Sequence, residues 1–134
     1  VSTLIGEVFQ PCCIFTYSDA TTAVKNFNMM VVKDLGDRVL NADTTLKHYT
    51  YMWDRGGRKI VCCKTCGAIF LYQWAEVDMQ NLDFEDMEYQ DYFQVNSIVE
   101  ALRLNQEFKP YDLETNFKGL RIWNSEDGWH WNKN

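Results

Sequence analysis

The chain has 134 residues, 46% of them hydrophobic and 15% aromatic, with five Trp, seven Tyr, eight Phe and only two Pro. That length and composition suffice for one core-bearing domain without obligatory disulfides or metal, and they exclude an intrinsically disordered chain. A net charge of -6 excludes a general binder of nucleic-acid backbone, which needs a basic patch.

The charge is unevenly placed. Between Thr65 and Leu102 there is no Lys or Arg but there are eight acids: Glu76, Asp78, Asp83, Glu85, Asp86, Glu88, Asp91 and Glu100. The rest of the chain is slightly net positive, so the acidity belongs to one segment. No apolar run approaches the ~20 residues that span a bilayer, and Val1 to Gly6 lacks the features of a signal peptide. Five cysteines, two pairs of them adjacent in sequence, form no regular framework, so the expectation is a reduced, soluble, cytoplasmic protein.

Leu4 to Phe15 is mostly apolar and broken at Pro11, which predicts one strand or two short ones. Ser18 and Asp19 offer an N-cap to a helix over about 18–30, with Ala20, Ala23, Val24, Phe27 and Met30 at helical spacing. Met29 to Val32 competes as a strand. Asp34 to Asp37 and Asn41 to Thr44 read as turns. Leu46 to Trp53 alternates as a strand, and Asp54 to Arg58, with Gly56 and Gly57, reads as the turn of a hairpin over 46–63. A further strand is expected over 68–77.

Asp78 to Asp91 lacks a clean period and is expected as a loop with a helical turn, anchored by Met79, Leu82, Phe84 and Met87. Tyr92 to Val95 is a short strand. Ser97 and Glu100 form a capping-box pattern that opens a helix over about 97–108, which Lys109-Pro110 stops. Gly119 to Trp131 predicts a C-terminal hairpin (119–131) with Asp127-Gly128 in its turn. The fold class expected is α+β in a single domain, 1–134: a mainly antiparallel sheet of about 5–6 strands with two helices. Its core should draw on Val24, Phe27, Ile60, Ile69, Leu71, Val95, Ile98, Leu102 and Ile122.

Chemistry and spacing coincide at Cys63-Lys64-Thr65-Cys66-Gly67, between two apolar runs. This Cys-x-x-Cys-Gly turn resembles the knuckle of a zinc ribbon over about Ile60 to Phe70. The resemblance implies structural zinc and requires a second pair of ligands. No second Cys-x-x-Cys is present, so the further ligands would come from Cys12, Cys13, His48 or His130. Cys62 would face away from Cys63 on a strand and is excluded. Empty thiols or a disulfide remain open. Redox chemistry is disfavoured because the segment after Cys66 reads as a strand, whereas a low-pKa thiol wants a helix N-terminus.

The chain carries no phosphate loop, nucleophile elbow or His-Glu-x-x-His pattern, so binding is expected over catalysis. Trp74, Glu76, Asp78, Asp83, Glu85, Asp86, Glu88, Tyr89 and Asp91 make up the expected surface for a basic protein partner. By analogy of class, one concrete form is a bacterial immunity-type inhibitor that neutralises a basic toxin. The alternative is a zinc-knuckle metal-binding module. Neither membrane nor nucleic acid is an expected partner.

Overall fold

The computed structural model describes residues 10–38, 52–78 and 87–133. Its frame is a six-stranded antiparallel sheet in which every strand neighbours the next in sequence: β1 (Met29–Arg38), β2 (Met52–Cys63), β3 (Ile69–Asp78), β4 (Met87–Val95), β5 (Arg121–Ser125) and β6 (Gly128–Trp131). α1 (Ala20–Lys25) precedes the sheet, and α2 (Ile98–Glu107) and α3 (Pro110–Asn116) fill the connection from β4 to β5. The fold is α+β, as the sequence implies.

Side-chain alternation along the strands gives the sheet two buried faces. Val61, Cys63, Phe70, Tyr72, Tyr92 and Ile122 face one side, under the N-terminal segment and α1. Ile60, Leu71, Phe93 and Val95 face the other, under Ala101, Leu104, Leu113 and Phe117 of the α2–α3 connection. On the first side Phe27 meets Phe70 and Tyr92 edge-on, both at 5.2 Å between centroids. On the second, Phe93 and Phe117 meet at 5.0 Å. Such edge-to-face pairs place positive ring edges on negative faces.

Several elements depart from the sequence reading. Residues 1–9, 39–51 and 79–86 lie outside the described residues, and with them most of the expected strands Leu4 to Phe15 and Leu46 to Trp53, the turn at Asn41 to Thr44, and the anchors Met79, Leu82 and Phe84. Cys13–Thr16 is a 3₁₀ turn, not a strand. It closes through Phe15 N–H to Cys12 C=O at 3.1 Å and Tyr17 N–H to Ile14 C=O at 3.3 Å. The first helix is shorter than 18–30: Asp19 caps it by accepting the Thr22 N–H at 2.7 Å, and the chain is extended by Met29. The Met-Met-Val-Val run thus takes the strand its β-branched residues favour.

Neither glycine-bearing stretch turns the chain around. Asp34 to Asp37 is absorbed into β1 as a shift of register, with Gly36 at φ 91° and its N–H bonded to the Asp34 carboxylate at 2.8 Å. Gly56 and Gly57 run straight through β2, opposite Arg38 and Asp37 on one side and Ala75 and Trp74 on the other. Neither has a positive φ, and register shifts flank them, the setting in which a strand tolerates glycine. The hairpin turn expected at 54–58 is therefore absent.

Met87 to Asp91 is strand rather than loop, because nine consecutive residues pair with β3 from Val77↔Met87 to Ile69↔Val95. Pro110 does not simply stop a helix; it starts α3, where its missing N–H costs nothing. Ile60, Leu71, Val95 and Ile122 are buried as expected, and Val24, Phe27 and Ile69 pack partly buried against the core. Ile98 and Leu102 instead face outward, because Ala101 and Leu104 carry the buried stripe of α2. The C-terminal hairpin forms where expected, with Gly128 at φ 118° opposite Ser125.

Candidate metal centre

β2 ends at Cys63, whose side chain continues the face of Val61 while Cys62 takes the opposite one. The chain then turns through Lys64, Thr65 and Cys66. Cys63 N–H bonds the Ala68 carbonyl at 2.9 Å, and Gly67 N–H returns to the Cys63 carbonyl at 2.8 Å. Gly67 holds φ 82°, a conformation that a side chain would strain. The turn thus places both knuckle sulfurs on the side where the N-terminal segment lies.

That segment supplies the other half. Cys12 N–H donates to the Gln94 side-chain oxygen at 2.9 Å, and Gln94 Nε2 donates to the Gln10 carbonyl at 2.8 Å. Gln94 is itself buried in β4, so residues 10–12 are fixed to the sheet by two hydrogen bonds from its interior. At the other end of the 3₁₀ turn, Lys133 donates to the carbonyls of Phe15 and Tyr17 at 2.5 and 3.3 Å. Both fastenings hold Cys12 and Cys13 over the knuckle.

The thiols of Cys12, Cys13, Cys63 and Cys66 converge, all four sulfurs lying within 4.8 Å of one another. Cys12 and Cys66 are 3.4 Å apart, and Cys13 and Cys63 are 3.6 Å apart. Four cysteines this close can hold a metal ion.

Their environments differ. Burial pushes the Cys12 thiol far above its ordinary value, outweighing the Ile14 amide that points at it. Burial and then the neighbouring thiols of Cys63 and Cys66 raise Cys13 to about 11. Burial raises Cys66 too, but the amides of Cys13 and Ala68 and the thiols of Cys12 and Cys63 outweigh it and bring Cys66 to about 7. Cys66 is also the exposed member, and it opens on a cavity of about 250 Å³ that Gly67, Gln94 and Asn96 help to line.

Of the ligands named from sequence, the structure joins Cys12 and Cys13 to Cys63 and Cys66. His48 lies outside the described residues. His130 does not join them: it pairs across the hairpin with Trp123, whose neighbour Ile122 is the residue that faces the thiols' side of the sheet. Its Nε2 contacts Ser125 Oγ at 2.7 Å and Asp127 Oδ1 at 3.0 Å. Hydroxyl and carboxylate meet the same ring nitrogen, so this is no nucleophile–base–acid relay, which uses both nitrogens.

No protein family, curated protein or solved structure matches the chain.

The acidic residues do not share one surface. Trp74 and Glu88 alternate onto the first face, while Tyr89 and Asp91 belong to the second, and the side chains of Glu76 and Asp78 lie outside the described ones. Asp91 is buried and bonded to Arg121 Nε at 2.8 Å, on the face opposite Glu88. Asp83, Glu85 and Asp86 lie outside the described residues. Among the described residues no helix is long and apolar enough to cross a membrane. Gln94 is the residue that sequence reasoning missed at the thiol centre. Its only signal was a polar residue inside the apolar run Tyr92 to Val95, which implies a buried hydrogen-bonding task.

Proposed function

We propose that the protein is a non-catalytic module whose N-terminal segment is stapled to its sheet by one structural zinc ion, held by Cys12, Cys13, Cys63 and Cys66. One observation carries this reading. A tetrahedral zinc with Zn–S bonds of about 2.3 Å sets its sulfurs ~3.8 Å apart, and the cross-segment pairs stand at 3.4 and 3.6 Å. Those separations are far longer than a disulfide of about 2.05 Å. The donors are all thiols and the turn is a knuckle, a combination that favours zinc over hard cations. Four protein ligands leave no position for water, so the ion organises structure and does not hydrolyse.

Metal analysis of protein purified without chelator tests this. One equivalent of zinc is expected. Less than about one-tenth of an equivalent, with no uptake from added zinc, overturns the reading, since such sites bind tightly.

A second reading, a basic protein partner, draws on the register of β3 and β4. It sets Glu76 directly opposite Glu88, with Trp74 two residues along. Like charges directly opposite are destabilising in a sheet, and a cation from a partner relieves them. Neutralisation of a basic toxin is the specific form this reading takes for a small acidic protein. A native pull-down with a Glu76→Lys/Glu88→Lys double variant alongside tests it. A basic partner lost only from the variant supports the reading; none, or an identical set with both proteins, removes it.

A further inference from the structure

The sheet face opposite the thiols carries a second constellation that the proposed function does not use. Between α3 and the paired strands β4 and β5 lies a cavity of about 180 Å³, lined by Tyr89, Asp91, Glu114, Arg121, Trp123 and Ser125 among others. At roughly 30 Å³ of liquid volume per water it has room for about six waters' worth of atoms, and it is smaller than the ~300 Å³ at which cofactor pockets begin. The space suits the end of one side chain.

Two carboxyl groups meet there. Asp91, from β4, accepts Arg121 Nε at 2.8 Å. The Arg121 guanidinium also lies over the Trp123 ring, 4.4 Å from its centroid, and 5.3 Å from that of Phe93. One carboxylate therefore already has an arginine, clasped by a hydrogen bond on its edge and rings against its faces. The other carboxyl, Glu114 of α3, lines the same cavity and is hydrogen-bonded to Asp91. The charged groups facing it are Asp91 from β4, Arg121 from β5 and Arg58 from β2. Arg58 directs Nε to Gln73 at 2.8 Å and Nη1 to Asn105 at 3.0 and 3.2 Å.

We propose that this cavity receives the guanidinium group of an arginine side chain presented by another protein, with Glu114 as its carboxylate and Tyr89 and Trp123 as its aromatic lining. The planar guanidinium suits both features, since it bonds carboxylates along its edge and stacks on rings with its face. Burial first, and then Asp91, hold the Glu114 carboxyl well above its ordinary value, against the opposing pull of Arg121 and Arg58. The incoming cation therefore exchanges with a proton: guanidinium enters, the Glu114 proton leaves to solvent, and the net charge of the site is unchanged. The inference uses no part of the zinc reading. It gives the basic-partner reading a site on the face opposite Glu88, and its test needs no partner.

The probe is N-acetyl-arginine amide, titrated at several pH values while backbone and indole signals are followed by NMR. Shifts confined to Tyr89, Asp91, Glu114, Arg121 and Trp123 are expected, with a dissociation constant on the order of millimolar for one charge-assisted contact. Affinity should rise with pH and weaken about tenfold in Glu114→Gln, which keeps a hydrogen-bond donor toward Asp91 while losing the charge. No shifts up to about 100 mM probe, well beyond millimolar binding, overturn the proposal. So do equal binding by Glu114→Gln, tighter binding of N-acetyl-lysine amide, or binding of N-acetyl-glutamate amide at the same residues. The pH series on the unaltered protein decides the question even if the variant is unstable. Loss of the Glu76/Glu88 reading leaves this result untouched, because Glu88 lies on the other face.

Discussion

Gln94 and Cys12 are joined across the seam between sheet and N-terminal segment: the side-chain oxygen of the glutamine accepts the Cys12 N–H at 2.9 Å, with both residues buried. A cysteine of the four-thiol centre thus hangs from a strand that contributes no cysteine to it.

Replacing Gln94 with Leu keeps the volume and removes both hydrogen bonds. The Gln10 carbonyl is near solvent and can turn to water, but the buried Cys12 N–H cannot. An unpaired buried donor costs about 1–3 kcal/mol, so a loss of that size is expected in urea denaturation. Outer-shell groups of metal sites change affinity about 10- to 100-fold, and zinc competition with a chromophoric chelator should show a drop in that range. A variant with unchanged affinity and stability would show that the segment is held without Gln94.

The centre also separates its cysteines into two classes. Cys62 is adjacent to Cys63 yet faces the opposite side of β2, outside the group of four. Cys12→Ser and Cys66→Ser should each lose zinc by at least tenfold in affinity, whereas Cys62→Ser should keep a full equivalent. Zinc lost from the Cys62 variant, or retained by both of the others, would reassign the ligands.

The knuckle was legible because its whole signal lies in five contiguous residues. So were the C-terminal hairpin and the serine cap of α2, where Glu100 N–H bonds Ser97 Oγ at 3.1 Å. Even there the glutamate reaches back to Asn96 N–H, at 3.0 Å, one residue earlier than the pattern implies. What could not be read is what depends on register. Gly56 and Gly57 look like a turn until β1 and β3 pair on both sides of them. The acids of Glu76 to Asp91 look like one surface until pairing sends Glu88 and Asp91 to opposite faces. Glu114 gave no signal, because its partner Asp91 is 23 positions away and meets it only when α3 folds over the sheet.

In metal-free protein the same geometry dictates which disulfides form. The two short distances each join one thiol of the N-terminal segment to one of the knuckle, Cys12 with Cys66 and Cys13 with Cys63. Hydrogen peroxide, reduced to water, would take the two thiol hydrogens of each pair as the sulfur–sulfur bond closes. Exchange chemistry starts from the most accessible, most ionised thiol, here Cys66, held near 7. Peptide mapping after mild oxidation should therefore show Cys12–Cys66 first and Cys13–Cys63 second. A dominant Cys63–Cys66 bridge would mean that the N-terminal segment leaves the knuckle when metal is absent.

Glu114 gives a pH dependence whose sign follows from its environment. Its carboxyl is held above the ordinary value of 4.5, by burial first and then by Asp91, so the folded protein binds this proton more tightly than the unfolded chain does. The corresponding stability is fully present below about pH 4.5 and is lost as pH rises through the raised value. One proton limits the slope to about 1.4 kcal/mol per pH unit. Glu114→Gln still donates to Asp91 but does not titrate, so the difference between wild-type and variant stability should fall with that sign above pH 4.5 and then level off. Urea denaturation of both proteins across the range measures it. Parallel curves would mean that Glu114 reaches water and ionises freely, and the carboxyl pair would then hold no proton to exchange.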